Sequence, residues 1–181
     1  MADIKPVDRP WEGVLFAAAY AGDTLSARIA HAGYMKDKSG TQGLRTFWDA
    51  RANAYLAIAR EQHDEAIAQL RIAFGERASP NNEESFLMAM SHERAGRPDS
   101  AIVWLERTLT TPSEGRGDGI YRPEAKRRLA ALLEAKGDLR GAMRYYEAFL
   151  DDWTQPEPAQ AEVVRAVKAR VAALRAKLAP G

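Results

Sequence analysis

The stretch Ala130-Ala131-Leu132-Leu133-Glu134-Ala135-Lys136-Gly137-Asp138-Leu139-Arg140-Gly141-Ala142-Met143-Arg144-Tyr145-Tyr146 carries the pattern that decides the fold. Its centre is a glycine followed five residues later by an alanine, and the same spacing recurs at Gly22 to Ala27 and at Gly96 to Ala101, with a degenerate copy from Glu61 to Ala66. Twelve residues before the alanine stands Ala54, Ala89 or Ala130, and four residues after it Leu70, Leu105 or Tyr146. The next large apolar residue follows at Phe74, Leu109 and Leu150. These spacings describe two helices joined by a tight turn: small residues on each let the axes approach, and large residues fill the gap to the next pair. Glycine suits the turn because the residue after a helix often adopts a left-handed conformation that glycine takes without strain. Asp23 and Asp138 follow the glycine as caps for the second helix, and Pro98 suits the first turn of its own helix.

Around these anchors the chain reads as all-α. Alanine, leucine, arginine and glutamate dominate, β-branched runs are missing, and apolar residues recur at helical spacing. The 181 residues suffice for four to five two-helix units of about 34 residues. Successive anchors Ala27, Ala66, Ala101 and Ala142 are wider apart than that, which places extra connector in the polar, glycine-rich stretches Lys36 to Arg45 and Ser113 to Arg122. Beyond the helix break at Asp151 to Pro158, residues 159–179 read as a terminal helix with an apolar face of Val163, Val164, Val167, Val171, Leu174 and Leu178.

The row Ala130, Leu132, Leu133, Gly137, Asp138, Ala142, Tyr146 and Leu150 resembles the tetratricopeptide (TPR) consensus, and the segment Ser91 to Ala101 is similar to a second copy. The run from Ser91 through Thr111-Pro112, Glu124 to Leu129, Gly137-Asp138 and Tyr145 to Trp153 also resembles the C-terminal TPR region of bacterial serine/threonine kinases of eukaryotic type and related signalling proteins. The resemblance covers residues 85–178 well and the first 84 weakly. It departs from the family in lacking the tryptophan near the start of the first helix, and Ala57, His92 or Leu133 stands in place of the usual tyrosine. The kinase is missing: there is no glycine-rich phosphate loop with a valine-alanine-lysine strand, no His-Arg-Asp loop and no Asp-Phe-Gly.

What the resemblance implies is a single domain over 1–181, an α-solenoid of about four divergent helix-turn-helix repeats near 8–38, 46–80, 83–113 and 122–153, closed by the terminal helix as a cap. It further implies a concave groove at Arg51, Tyr55, Phe86, Met90, Glu93, Arg94, Arg127 and Glu134, suited to a peptide or protein segment. Phe86 and Met90 serve equally well as packing between repeats. The lysine and asparagine set with which some TPR domains clamp a chaperone's terminal carboxylate is not reproduced, because Tyr55, Leu87 and Glu124 occupy that region. The expected function is a non-catalytic interaction scaffold. Self-assembly through stacked repeats is the alternative, favoured by apolar Trp11, Val14, Leu15, Phe16 and Tyr20, expected to be exposed.

Other chemistry finds little support. With 26 basic and 25 acidic residues there is no global field toward nucleic acid or an anionic membrane. The basic terminal helix, with Arg165, Lys168, Arg170, Arg175 and Lys177 against Glu162, lacks interleaved aromatic platforms for nucleic acid. No cysteine is present, so disulfides and thiolate chemistry are excluded. His31, His63 and His92 are scattered without metal-ligand spacing, so neither metal nor cofactor is expected. The acidic pairs Asp64-Glu65, Glu83-Glu84 and Asp151-Asp152 read as helix caps and solvated faces rather than catalytic carboxylates. Gly115 to Gly119 lacks the strand and the Gly-Lys-Ser/Thr ending of a phosphate loop and reads as connector. No apolar run approaches a membrane span and no leader is apparent, so the expectation is a soluble, cytoplasmic chain, or an extracytoplasmic one if it belongs to an anchored or secreted parent.

Overall fold

In a computed structural model the described residues are 10–38, 45–75, 80–112, 118–154 and 156–179. Among them the secondary structure is helical, with no strand: α1 (Trp11–Ala21), α2 (Thr24–Lys38), α3 (Arg45–Ala59), α4 (His63–Gly75), α5 (Asn82–Arg94), α6 (Pro98–Thr110), α7 (Asp118–Ala135), α8 (Leu139–Asp151) and α9 (Pro158–Leu178).

Four of the turns between helices are built alike. Gly22, Glu61, Gly96 and Gly137 all have positive φ, at 72°, 59°, 70° and 85°. In each, the left-handed residue donates its N–H to the carbonyl three residues back, and the next residue donates to the carbonyl five back, as in Gly137 to Glu134 at 2.9 Å and Asp138 to Leu133 at 2.9 Å. The same pair of bonds closes the other three turns, ending on the carbonyls of Ala18, Ala57 and His92. This satisfies carbonyls that the end of an α-helix otherwise leaves without a partner. Five residues after each left-handed position, Ala27, Ala66, Ala101 and Ala142 have no exposed surface, and neither do Ala54, Ala89 and Ala130 twelve residues earlier. A larger side chain at any of these places would push the helix axes apart.

Side chains fasten the helix starts. Asp23 accepts from the Ser26 N–H at 3.0 Å and Asp138 from the Gly141 N–H at 2.9 Å. At α5, Asn81 and Glu84 cap one another's backbone N–H reciprocally, both at 2.9 Å. Pro98 opens α6, where its missing donor costs nothing.

The chain divides into two compact units. Unit 1 comprises Met1–Pro80 with Met90–Arg97, and unit 2 comprises Asn81–Ala89 with Pro98–Gly181. Within unit 1, α1 packs on α2 and α3, α2 on α3, and α3 on α4. Within unit 2, α6 packs on α7, α7 on α8, and α8 on α9. The unit 2 core joins Ala130, Ala142, Tyr146 and Phe149 to Val164, Val167, Val171 and Leu174 of α9. Each valine or leucine withdrawn from water there stabilises by about 1.5–3 kcal/mol.

Three expectations change. Both connectors are shorter than the polar composition suggests, because α2 continues through Lys38 and α7 already begins at Asp118. Arg122 belongs to that helix and donates to the carbonyls of Leu109 and Thr111 at 2.7 and 3.2 Å, satisfying the end of α6. Residues 39–44 and 113–117, the latter including most of the glycine-rich loop, lie outside the described residues. Val163 is 41% exposed, since the buried seam of α9 runs 164, 167, 171, 174 and position 163 lies a helical step off it. Near the start of the chain Leu15 is fully buried and Trp11, Val14 and Phe16 are half-buried, which leaves Tyr20 as the exposed member of that set.

Glu61 is the described non-glycine residue with positive φ, so Glu61→Gly should raise stability by about 1 kcal/mol in urea unfolding. Gly33 faces the Trp11 indole, and an added Cβ would lie 2.5 Å from that ring. Gly33→Ala should therefore destabilise by about 1–3 kcal/mol despite alanine's higher helix propensity, read as a lower midpoint in the same assay.

Candidate interaction surfaces

The eight residues expected to line one groove fall in both units: Arg51, Tyr55, Met90, Glu93 and Arg94 in unit 1, and Phe86, Arg127 and Glu134 in unit 2. Three of them are interior. Tyr55, Phe86 and Met90 are buried almost completely, so in this conformation a partner reaches none of them. Tyr55 meets Phe16 edge-on at 6.4 Å, and Phe86 lies 5.7 Å from Tyr121 with the Arg128 guanidinium 5.9 Å from its ring. Repeat-like spacing marks a position as inward-facing, and an inward-facing aromatic is more readily consumed by packing than offered to a ligand.

In unit 1, Arg51 is also buried. Its guanidinium reaches Glu12 at 2.9 Å and the Tyr55 hydroxyl at 3.4 Å, and it lies about 6 Å from the Phe47 and Tyr55 rings. The charge is held by an ion pair and two aromatic faces, an internal strut between α1 and α3. Burial and the neighbouring Glu12 carboxylate push the Tyr34 hydroxyl well above the usual phenolic range. Arg94 is exposed and donates to the Tyr20 carbonyl at 3.1 Å, and Glu93 is half-buried beside it.

Unit 2 contains a cleft of about 490 Å³ where α9 meets α7 and α8. Arg127, Tyr146, Glu162 and Arg170 supply its polar groups, and Val163 and Val167 are among its apolar ones. Glu134 links the three helices: it accepts from Arg170 Nε at 2.7 Å, forms an ion pair with the same guanidinium, and lies 3.5 Å from the Tyr146 hydroxyl. Burial, and next the Glu134 charge, raises the Tyr146 hydroxyl above its ordinary value, so it stays protonated and can donate. Arg127 is held by Glu124 through two bonds of 2.8 and 2.6 Å, and Glu124 also accepts from Arg128. Both cleft arginines are thus oriented by a carboxylate, a fixed arrangement of charge around an apolar floor. Of the eight expected residues, Arg127 lines this cleft and Glu134 holds its charged side in place. The sequence places Glu162, Val163 and Arg170 only on a capping helix, because spacing along one helix does not reveal which neighbour it lies against.

A second depression, about 470 Å³, lies along α1 and the start of α2, with Gly13, Val14, Ala17 and Ala21 among its lining residues. Leu25 and Ile29, one helical turn apart on α2, are 66% and 59% exposed. Among the described residues no group of three or more histidines and carboxylates could hold a metal ion, and no helix is long and apolar enough to cross a membrane. No family model, curated protein or solved structure matches the chain.

Removing the Glu134 carboxylate should loosen α9. Amide exchange along α9 is expected to rise about two- to five-fold in Glu134→Ala, the scale of a partly screened ion pair, while α3 stays unchanged. Hydrogen-exchange mass spectrometry reads both helices at once.

Proposed function

We propose that this chain is a non-catalytic scaffold of the tetratricopeptide type, a stack of helical hairpins that binds a peptide or protein segment. The observation that carries the reading is the recurrence of one turn. Four left-handed residues share the same two backbone bonds, each is followed by a fully buried alanine, and three of them are the glycines of the repeated signature. Neighbour-on-neighbour packing within each unit is the pattern that stacked repeats require. Such a framework holds side chains at fixed spacing on its outside, which suits recognition of another chain. The unit 2 cleft, with oriented charges on an apolar floor, is the surface best formed for it.

Affinity capture with wild type, Arg127→Ala and Arg94→Ala tests this. At least one captured protein should be lost or weakened by about tenfold in a variant whose helical content and unfolding midpoint are unchanged. Equal recovery of every partner from all three would argue against the scaffold reading.

The exposed Leu25 and Ile29 of α2, together with the depression along α1, favour self-assembly as a second reading. A molar mass that stays monomeric across a concentration series in light scattering would eliminate it.

A further inference from the structure

The four left-handed turns share their two backbone bonds but not the residue that accepts the second of them. The carbonyl five residues back, which accepts from the residue after the left-handed one, belongs to Ala18, Ala57 and Leu133 in three of them, and to His92 in the fourth. An apolar residue at this inward position is easily accommodated. A histidine there is not neutral in its consequences.

His92 is 6% exposed, and its Nδ1 is buried with no hydrogen-bond partner. The charged groups that face it are Arg97 in the turn itself, Arg71 on α4 and Asp64 in the first turn of α4. Arg97 and Asp64 form an ion pair of 2.6 Å, while the Arg97 N–H donates to the His92 carbonyl at 2.9 Å. Beside this pair a cleft of about 360 Å³ opens to water between the start of α4 and the turn, lined by Glu61, His63, Asp64, Ala95 and Arg97 among others. A proton arriving on His92 would create a third cation beside two arginines and one carboxylate, on a ring removed from solvent.

We propose that His92 makes the turn after α5 an acid-sensitive latch: protonation of the buried ring releases Ala95–Arg97 from α4, while the three turns with no histidine at this position stay closed. Burial, and next the Arg97 and Arg71 charges, lowers the His92 imidazole below its ordinary value of 6.5. The folded ring therefore binds its proton less readily than the opened one. The latch is fully closed above pH 6.5 and weakens as pH falls from there toward the folded value. Glu93 and Arg94 sit in the same last turn of α5, so release changes the setting of the outward-facing charges in unit 1.

Hydrogen exchange on the whole chain between pH 7.5 and 5.5, corrected for intrinsic rates, tests the latch against three internal controls. Protection at the Gly96 and Arg97 amides should fall by up to about tenfold per pH unit below 6.5, while Gly22–Asp23, Glu61–Gln62 and Gly137–Asp138 keep theirs. His92→Leu, which places there the residue type of position 133, should remove the dependence, and His63→Gln should leave it. The proposal is overturned if all four turns respond alike, if the dependence persists in His92→Leu, or if it vanishes in His63→Gln. Titration of the His92 ring in the wild type by NMR gives a reading that needs no variant: a midpoint below 6.5 supports the latch, and one at or above 6.5 overturns it.

Discussion

The left-handed residue that closes each hairpin is the constraint on which the rest depends. Reversing a helix within a few residues leaves carbonyls at its end without partners, and at a residue with positive φ its own N–H and that of the next residue bond back onto them. With the backbone satisfied in this way, the returning helix arrives at a set position. Its fifth residue after the turn then falls at the point of closest approach, where only an alanine-sized side chain fits. Ala27, Ala66, Ala101 and Ala142 are without exposed surface for this geometric reason, and the large residues one turn later are free to pack outward onto the next element.

Much of this was legible before any coordinates. Glycine at 22, 96 and 137 states its conformation directly, because few other residues occupy that region, and the alanines state their crowding by being small. Glu61 was legible only through its surroundings: the anchors at Ala54, Ala66 and Leu70 marked a turn that its own residue type does not suggest. The seam of α9 was readable to within one position, since the spacing 164, 167, 171, 174 is explicit while the assignment of Val163 depends on the neighbouring helix. Helix ends inside polar stretches were hidden. Arg122 belongs to a helix because it satisfies carbonyls of the previous one, and that relationship leaves no local trace.

The surfaces were less legible than the fold. Periodicity separates inside from outside, but an inward aromatic such as Tyr55 or Phe86 looks the same whether it faces a ligand or a neighbouring ring. Arg127 lines the unit 2 cleft, and the pairing of Glu134 with Arg170 across 36 residues needed the folded chain to reveal it.

The division of the chain has a consequence for how the protein can be dissected. Asn82–Ala89 belongs to one unit and Met90–Arg94 to the other, although both lie in α5. No single cut in the polypeptide separates the units cleanly: a fragment ending at Pro80 lacks the segment that completes unit 1, and one beginning at Pro98 lacks the first residues of unit 2. Deletion mapping by halves would therefore report the loss of a shared helix and ascribe it to whichever half was removed.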